Sequence, residues 1–215
     1  MDVAIIGAGN VGGALARAFS RAGHSVTITS RTQEKAEAVA RESGATVGSS
    51  NRKAADRAEV VVVAVPYEAL DDVAGEIRDA VDGKVVIETT NRFNPNDPGL
   101  GIDGTSAAEQ LQHKLPGARV VKAFNAVLGS RLAEPTVDGV EVDGLFAGDD
   151  QAAKEEVAEL TRAVGLRPLD VGGLGAARAL EALANLNISL NMQNGLPWQS
   201  GWKLVGPTEA SSTAA

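Results

Sequence analysis

Three features of the 215-residue sequence predict an α/β fold built on a doubly wound parallel sheet. Short apolar runs alternate with helical patterns, the order that lays parallel strands between two layers of helix. The run Glu59-Val60-Val61-Val62-Val63-Ala64-Val65 is apolar at successive positions, as expected of a central strand covered on both faces. The chain also opens with a strand, a glycine-rich turn and a helix, which is how sheets of this kind start when they bind a nucleotide.

The opening unit is the most specific. Asp2-Val3-Ala4-Ile5-Ile6 reads as a buried strand, Gly7-Ala8-Gly9-Asn10-Val11-Gly12 as the turn, and a helical pattern follows to Ala22. Gly7 allows the tight turn, Gly9 lets the backbone approach a pyrophosphate, and Gly12 lets helix and strand pack closely. The helix N-terminus, with Asn10 and Val11, offers N–H groups and partial positive charge to an anion. The expected fold is therefore Rossmann-type.

The later elements follow the same alternation. A second strand, Ser25-Val26-Thr27-Ile28-Thr29, precedes a helix over 32–43 with Thr32 as cap and Gly44 as stop. A short helix around Lys53-Ala54-Ala55 leads to the central strand, which Pro66 ends. A helix over 68–81 and a strand over 84–88 precede a long loop at 90–103, rich in Asn, Pro and Gly. Loops of that length in compact domains are usually functional. Then come a helix at 106–114, strands at 118–122 and 145–148, a helix at 151–164, an extended segment at 167–171 and a long helix at 178–193. The expectation is one domain over 1–206, with a core at 1–172, a helical cleft-forming segment at 173–206, and a disordered tail at 207–215. One long helix and a short ending leave too little chain for a separate substrate domain. A second substrate must then sit near the sheet edge, with a partner subunit as possible help.

Composition narrows the function. The chain has no cysteine, which removes disulfides, thiolate metal sites and thiol nucleophiles together. A net charge of −8 argues against general nucleic-acid binding. No signal-peptide pattern and no apolar run near ~20 residues is present, so a cytoplasmic protein without membrane attachment is expected.

The end of the second strand chooses the cofactor. An NAD site would place Asp or Glu there for the ribose 2′-hydroxyl. Here the positions are Ser30 and Arg31, with Lys35 following, and no carboxylate stands between Gly12 and Glu34. A hydroxyl and two cations suit a 2′-phosphate, so the cofactor is expected to be NADP(H).

Ligands in such sheets lie beyond the carboxyl ends of the strands. That places Ala64, Val65 and Pro66, Thr89 and Asn91, and Ala123 and Asn125 around the ribose and nicotinamide. Lys122 is the one cation near that ring and a weak candidate for polarising a carbonyl; the plainer expectation is a strand-end lysine reaching solvent or phosphate. His24 lies at the far end of the sheet and His113 on a polar helix, so neither is expected to act as a base. Hydride exchange between nicotinamide and another redox ring needs alignment and dryness more than protein acid or base. The scarcity of acid–base groups therefore favours a cofactor-like acceptor. Asn187, Asn191 and Asn194 share one helical stripe, ahead of Trp198 and Trp202. The stripe reads first as structural hydrogen bonding, and the tryptophans as core or interface packing or as a wall for a flat ring.

Taken together, these residues resemble the NADP-dependent oxidoreductases that use the deazaflavin coenzyme F420. The resemblance runs to about residue 206. It is carried by Gly7-Ala8-Gly9-Asn10-Val11-Gly12, Ser30-Arg31-Thr32-Gln33-Glu34-Lys35, Ala64-Val65-Pro66, Ala147-Gly148-Asp149-Asp150, Gly165-Leu166-Arg167-Pro168-Leu169-Asp170-Val171-Gly172 and the closing helix. It implies that Ser30, Arg31 and Lys35 grip the 2′-phosphate. It also implies that the nicotinamide faces a deazaflavin between the segment after Lys122 and the C-terminal stretch, and that the protein is a homodimer. One segment departs. Lys122-Ala123-Phe124-Asn125 resembles the related ferric-reductase oxidoreductase domains, which use a flavin, where the deazaflavin enzymes carry a histidine. The expected function is hydride transfer between NADP(H) and a deazaflavin or flavin. An NADPH-dependent reductase of a small carbonyl or imine, and a non-catalytic NADP(H) sensor, stand as alternatives.

Overall fold

A computed structural model describes residues 1–92 and 104–206 of the chain. Its main sheet has eight strands in the order β10-β9-β6-β5-β4-β1-β2-β3. The first half holds β1 (Asp2–Ile6), α1 (Asn10–Arg21), β2 (Ser25–Thr29), α2 (Gln33–Ser43), β3 (Thr46–Val47), α3 (Asn51–Arg57) and β4 (Val60–Val63). It continues through α4 (Leu70–Ile77), β5 (Val85–Glu88), α5 (Ala107–Lys114), β6 (Arg119–Ala123) and α6 (Gly129–Ala133). The last part holds the hairpin of β7 (Thr136–Val137) and β8 (Val140–Glu141), then β9 (Asp143–Gly148), α7 (Gln151–Ala163), β10 (Arg167–Asp170) and α8 (Ala177–Asn194).

The pleat explains the two cores. Val60 and Val62 of β4 join α1, α2 and α7 on one face, whereas Val61 and Val63 join α3, α4 and α5 on the other. All four valines are fully buried, as a central strand requires. β1 lies between β2 and β4. The strand order therefore reverses beside β1, and a crevice opens there at the carboxyl ends.

Several details differ from the sequence reading. The sheet is mostly parallel, but β9 pairs with β6 in the antiparallel sense, Lys122 facing Ala147. The chain leaves β6 through α6 and the small hairpin without recrossing the sheet, so β9 starts on the side where β6 ended. The helix expected over 68–81 is α4 flanked by single 3₁₀ turns at Tyr67–Ala69 and Arg78–Ala80. Strand β3, helix α6 and the 136–141 hairpin are additions. The hairpin turns on Asp138 and Gly139, both at positive φ (50° and 79°), the pairing that two-residue loops favour. The expected 90–103 loop falls mostly outside the described residues, as does the 207–215 tail.

Candidate functional site

The phosphate turn has the geometry its glycines imply. Gly7 sits at φ 112°, and a Cβ there would lie 2.1 Å from the Ala64 carbonyl oxygen. A Cβ on Gly12 would lie 1.9 Å from the Gly7 carbonyl oxygen. Around Gly9, by contrast, a Cβ would meet no protein atom within 4 Å. The first and third glycines are therefore needed by the fold, and the second faces open space that a pyrophosphate can fill. Gly9 also caps α1 without a side-chain acceptor, and no acidic residue occupies the first turn. The helix end is left able to receive an anion.

Beside it lies a pocket of about 200 Å³ lined by Gly7, Gly9, Ser30, Arg31, Thr32, Lys35, Ala64, Val65, Pro66 and Asn51, among others. Among the described residues, no carboxylate belongs to that lining, and Arg31 and Lys35 form no ion pair. Ser30 Oγ accepts from the Thr32 N–H at 3.2 Å, which orders the turn. Asn51 was not singled out from sequence. Ser50 caps α3 by accepting from the Lys53 N–H, and this brings Asn51 to the end of β2. There its Oδ1 accepts from Thr29 Oγ1 at 2.6 Å, and its Nδ2 donates to Glu76 at 2.7 Å.

A larger cavity of about 620 Å³ continues from the start of α1. Its wall is made by Asn10, Val11, Ala14 and Arg17, by Asn91, by 125–130, and by Ala184, Asn187, Ile188 and Trp198. Asn91 and Asn125 come together there: Asn91 Nδ2 donates to the Asn125 carbonyl at 2.9 Å, and Asn125 Nδ2 donates to Asn91 Oδ1 at 2.8 Å. Phe124 delivers Asn125 by adopting φ 62°, a conformation that costs a non-glycine residue about 1–3 kcal/mol and clusters at functional sites. Packing of its buried ring against Phe19, 5.9 Å away, holds it there.

Three expected contacts are placed elsewhere. Thr89 lies behind the surface with its hydroxyl donating to the Val63 carbonyl at 3.1 Å, and Ala123 is part of the core. Lys122 reaches neither solvent nor phosphate. It is fully buried, with Nζ 2.6 Å from Glu88 Oε2 and 3.0 Å from Glu181 Oε1, and it donates to the Thr90 carbonyl. Glu181 also accepts from the Ala107 N–H at 2.7 Å and pairs with Arg92 at 3.4 Å. Two carboxylates and two cations thus lock β5, β6, α5 and α8 together, and Lys122 is left no donor for a carbonyl substrate. Buried charges persist only when paired in this way.

His24 packs edge-on against Phe19 at 5.9 Å, and His113 is exposed. Two members of the asparagine stripe are structural. Asn191 Oδ1 accepts from the Trp198 N–H, while its Nδ2 donates to Asn187 Oδ1 at 2.9 Å and Ser200 Oγ at 2.7 Å. Asn194 stays outside and bonds Leu190 O. The network folds the chain back after α8 so that Trp198 reaches the cavity wall. Ser130 Oγ, donating to the Trp198 carbonyl at 2.6 Å, fixes the other side. Trp202 instead lies beside the anchor where buried Asp143 accepts from Arg167 and Lys203.

The family described as NADP oxidoreductase coenzyme F420-dependent matches residues 2–92. The F420-dependent NADP reductase of Methanothermobacter marburgensis is 35% identical over 212 residues, covering 90% of this chain and 94% of that protein. The chain belongs to the F420-dependent NADP reductase family. A solved structure of a putative F420-dependent NADP reductase from Arthrobacter sp. FB24 superposes with a TM-score of 0.81 at 27% identity, covering 91% of this chain and 95% of that one. The rat metalloreductase STEAP3 is 33% identical over 181 residues, 84% of this chain but only 36% of that protein. An F420-dependent NADP reductase is an oxidoreductase on a Rossmann-type fold.

Proposed function

We propose that this reductase transfers a hydride between NADP(H) and coenzyme F420. One observation carries the reading beyond kinship. Among the described residues, the 620 Å³ cavity that adjoins the phosphate turn has Arg17 as its single titratable lining residue, and Arg17 is engaged by Glu42 at 2.9 Å. No described side chain there is free to give or take a proton, and such a lining suits two rings that exchange hydride by alignment alone. When bound, the dihydronicotinamide supplies the hydride from C4, the deazaflavin accepts it at C5, and water supplies the accompanying proton.

In this reading the turn at Gly7, Gly9, Asn10, Val11 and Gly12 holds the pyrophosphate, and Ser30, Arg31 and Lys35 hold the 2′-phosphate. Ala64, Val65 and Pro66 flank the adenosine side, and Asn91 and Asn125 meet the nicotinamide. Thr89 and Ala123 support these contacts from behind. Residues 1–206 act as one unit. Homodimerisation is supported by apolar side chains exposed at the end of α8 and just beyond, Leu190, Met192, Leu196 and Trp198. No described helix is long and apolar enough to cross a membrane, and a cytoplasmic location fits a consumer of NADP(H). The test is NADPH oxidation in the presence of F420, riboflavin phosphate or a small ketone. Turnover with F420 alone supports the assignment, and turnover with the ketone alone refutes it. Light scattering on the purified protein tests the dimer.

A further inference from the structure

A third hollow, of about 370 Å³, joins the two already described. It shares Ala8, Gly9 and Lys35 with the 200 Å³ pocket, and Asn10 and Arg17 with the 620 Å³ cavity. No described residue lines both of those, so the path between them runs through the third. NADP(H) is built in the same order: adenosine with its 2′-phosphate, then the pyrophosphate, then the nicotinamide riboside. With the 2′-phosphate at Arg31 and the nicotinamide in the large cavity, the pyrophosphate falls in the middle hollow, against the first turn of α1. Among the described residues no carboxylate lines that hollow, and its charged members are Arg17 and Lys35.

The Arg17 side chain is set towards that turn. Long helical side chains lean back towards the N-terminus, and Arg17 does so over Gly13. A Cβ on Gly13 would lie 3.6 and 3.8 Å from the two terminal nitrogens of Arg17, and 3.3 Å from Val39 Cγ2. Glycine inside a helix is disfavoured against alanine; here its bare surface seats the guanidinium. Gly13 belongs to the turn that opens the helix, its N–H bonding the Gly9 carbonyl at 2.8 Å. The guanidinium therefore lies beside the helix end that receives an anion.

Its donors are largely free. Arg17 Nη1 donates to Glu42 Oε2 at 2.9 Å, and Glu42 is its one hydrogen-bond or ion-pair partner among the described residues. A guanidinium carries more N–H donors than one carboxylate oxygen uses. Arg17 is half-buried and Glu42 exposed, so the pair is weak and its donors can turn to a stronger oxyanion.

We propose that Arg17 is a pyrophosphate-binding residue: its guanidinium donates to the phosphate oxygens of NADP(H) beside the backbone N–H groups of the glycine turn, and Glu42 competes for it in the free protein. Arg17 and Arg31 then read different groups. Every nicotinamide dinucleotide carries the pyrophosphate, and only NADP(H) carries the 2′-phosphate. The proposal rests on the NADP(H) reading above and deepens it.

Binding titrations of the full chain test it. Arg17→Gln should raise the Kd of NADPH and of NADH alike, by about tenfold, the size of one charge-assisted hydrogen bond. Adenosine 2′-phosphate, which has no pyrophosphate, should bind within twofold of the parent. Glu42→Gln, at an exposed position that does not threaten the fold, should lower both dinucleotide Kd values by about threefold, because an exposed ion pair no longer holds the guanidinium. Unchanged dinucleotide affinity in either variant overturns the proposal, as does a loss in Arg17→Gln for NADPH with none for NADH. A further arm compares F420 with its riboside, which lacks the phosphate-linked side chain. Their affinity ratio should be the same in parent and Arg17→Gln; a loss confined to F420 would assign Arg17 to the second substrate and overturn the proposal. Failure of the parent protein to bind either dinucleotide would instead defeat the NADP(H) reading itself.

Discussion

Replacing Arg31 by alanine removes one of the two cations from a pocket whose lining, among the described residues, has no carboxylate. In the NADPH complex the guanidinium would make a charge-assisted hydrogen bond to the 2′-phosphate, a class of contact worth about 1.5–3 kcal/mol. Arg31 is exposed on the rim, where water and salt weaken it, so the lower part of that range applies. A loss of ~1.5–2 kcal/mol corresponds to an NADPH Kd raised about 10- to 30-fold. NADH lacks the phosphate, and its Kd should change by less than about twofold. Fluorescence titration with both nucleotides at low and moderate salt measures this, and added salt should shrink the difference between parent and variant. An equal loss for NADH and NADPH would show that Arg31 does not read the 2′-phosphate.

Other substitutions probe the frame of the site. Gly12→Ala forces a methyl group to 1.9 Å from the Gly7 carbonyl oxygen; the turn must open, and NADPH and NADH binding should fall together, with ~1–3 kcal/mol lost in urea unfolding. Lys122→Met leaves Glu88 and Glu181 buried without their shared cation and should cost about 3–5 kcal/mol in the same assay; an unchanged midpoint would contradict the ion network. The Arg178 guanidinium beside Glu109, with help from Ser106, holds the Glu109 carboxyl down at about 2 against an ordinary 4.5. Because the folded value is the lower one, its stabilisation is complete above pH ~4.5 and is lost as the pH falls towards ~2. Glu109→Gln should therefore lower the melting temperature at neutral pH and flatten the acid limb of the stability profile. The loss should be near 1–2 kcal/mol, because Arg178 is half exposed and water screens the pair.

The nucleotide half was legible because its chemistry is local. Gly7, Gly9 and Gly12 act through backbone geometry within one turn, and Ser30, Arg31 and Lys35 follow the next strand at short range. The valine run of β4 announced burial on both faces for the same reason. What stayed hidden depends on distant partners. Nothing around Lys122 reveals Glu181, 59 residues later, so a buried ion network looked like a strand-end lysine. The direction of β9 was equally silent, since an apolar run over 145–148 is the same read either way. Asp138-Gly139 carried a hairpin signal, but its flanking strands are two residues each and exposed, too short for an alternating pattern. The asparagine stripe was visible as a stripe. Its division into a structural oxygen and an unmet NH₂ on Asn187 depends on Trp198 and Ser200 folding back, and helical spacing cannot supply that.

In the proposed reaction the cavity beside the phosphate turn aligns nicotinamide with a deazaflavin and leaves acid–base chemistry to solvent. Stopped-flow mixing of purified protein and NADPH with oxidised F420, followed at the nicotinamide and deazaflavin absorbance bands together, tests it most directly. Both bands should decay at one rate, the rate should slow when the transferred hydrogen at C4 is deuterium, and no protein side chain should impose a pH dependence near neutrality. Loss of the NADPH band without loss of the F420 band, or no reaction with F420 beside fast reduction of a flavin or ketone, would contradict it.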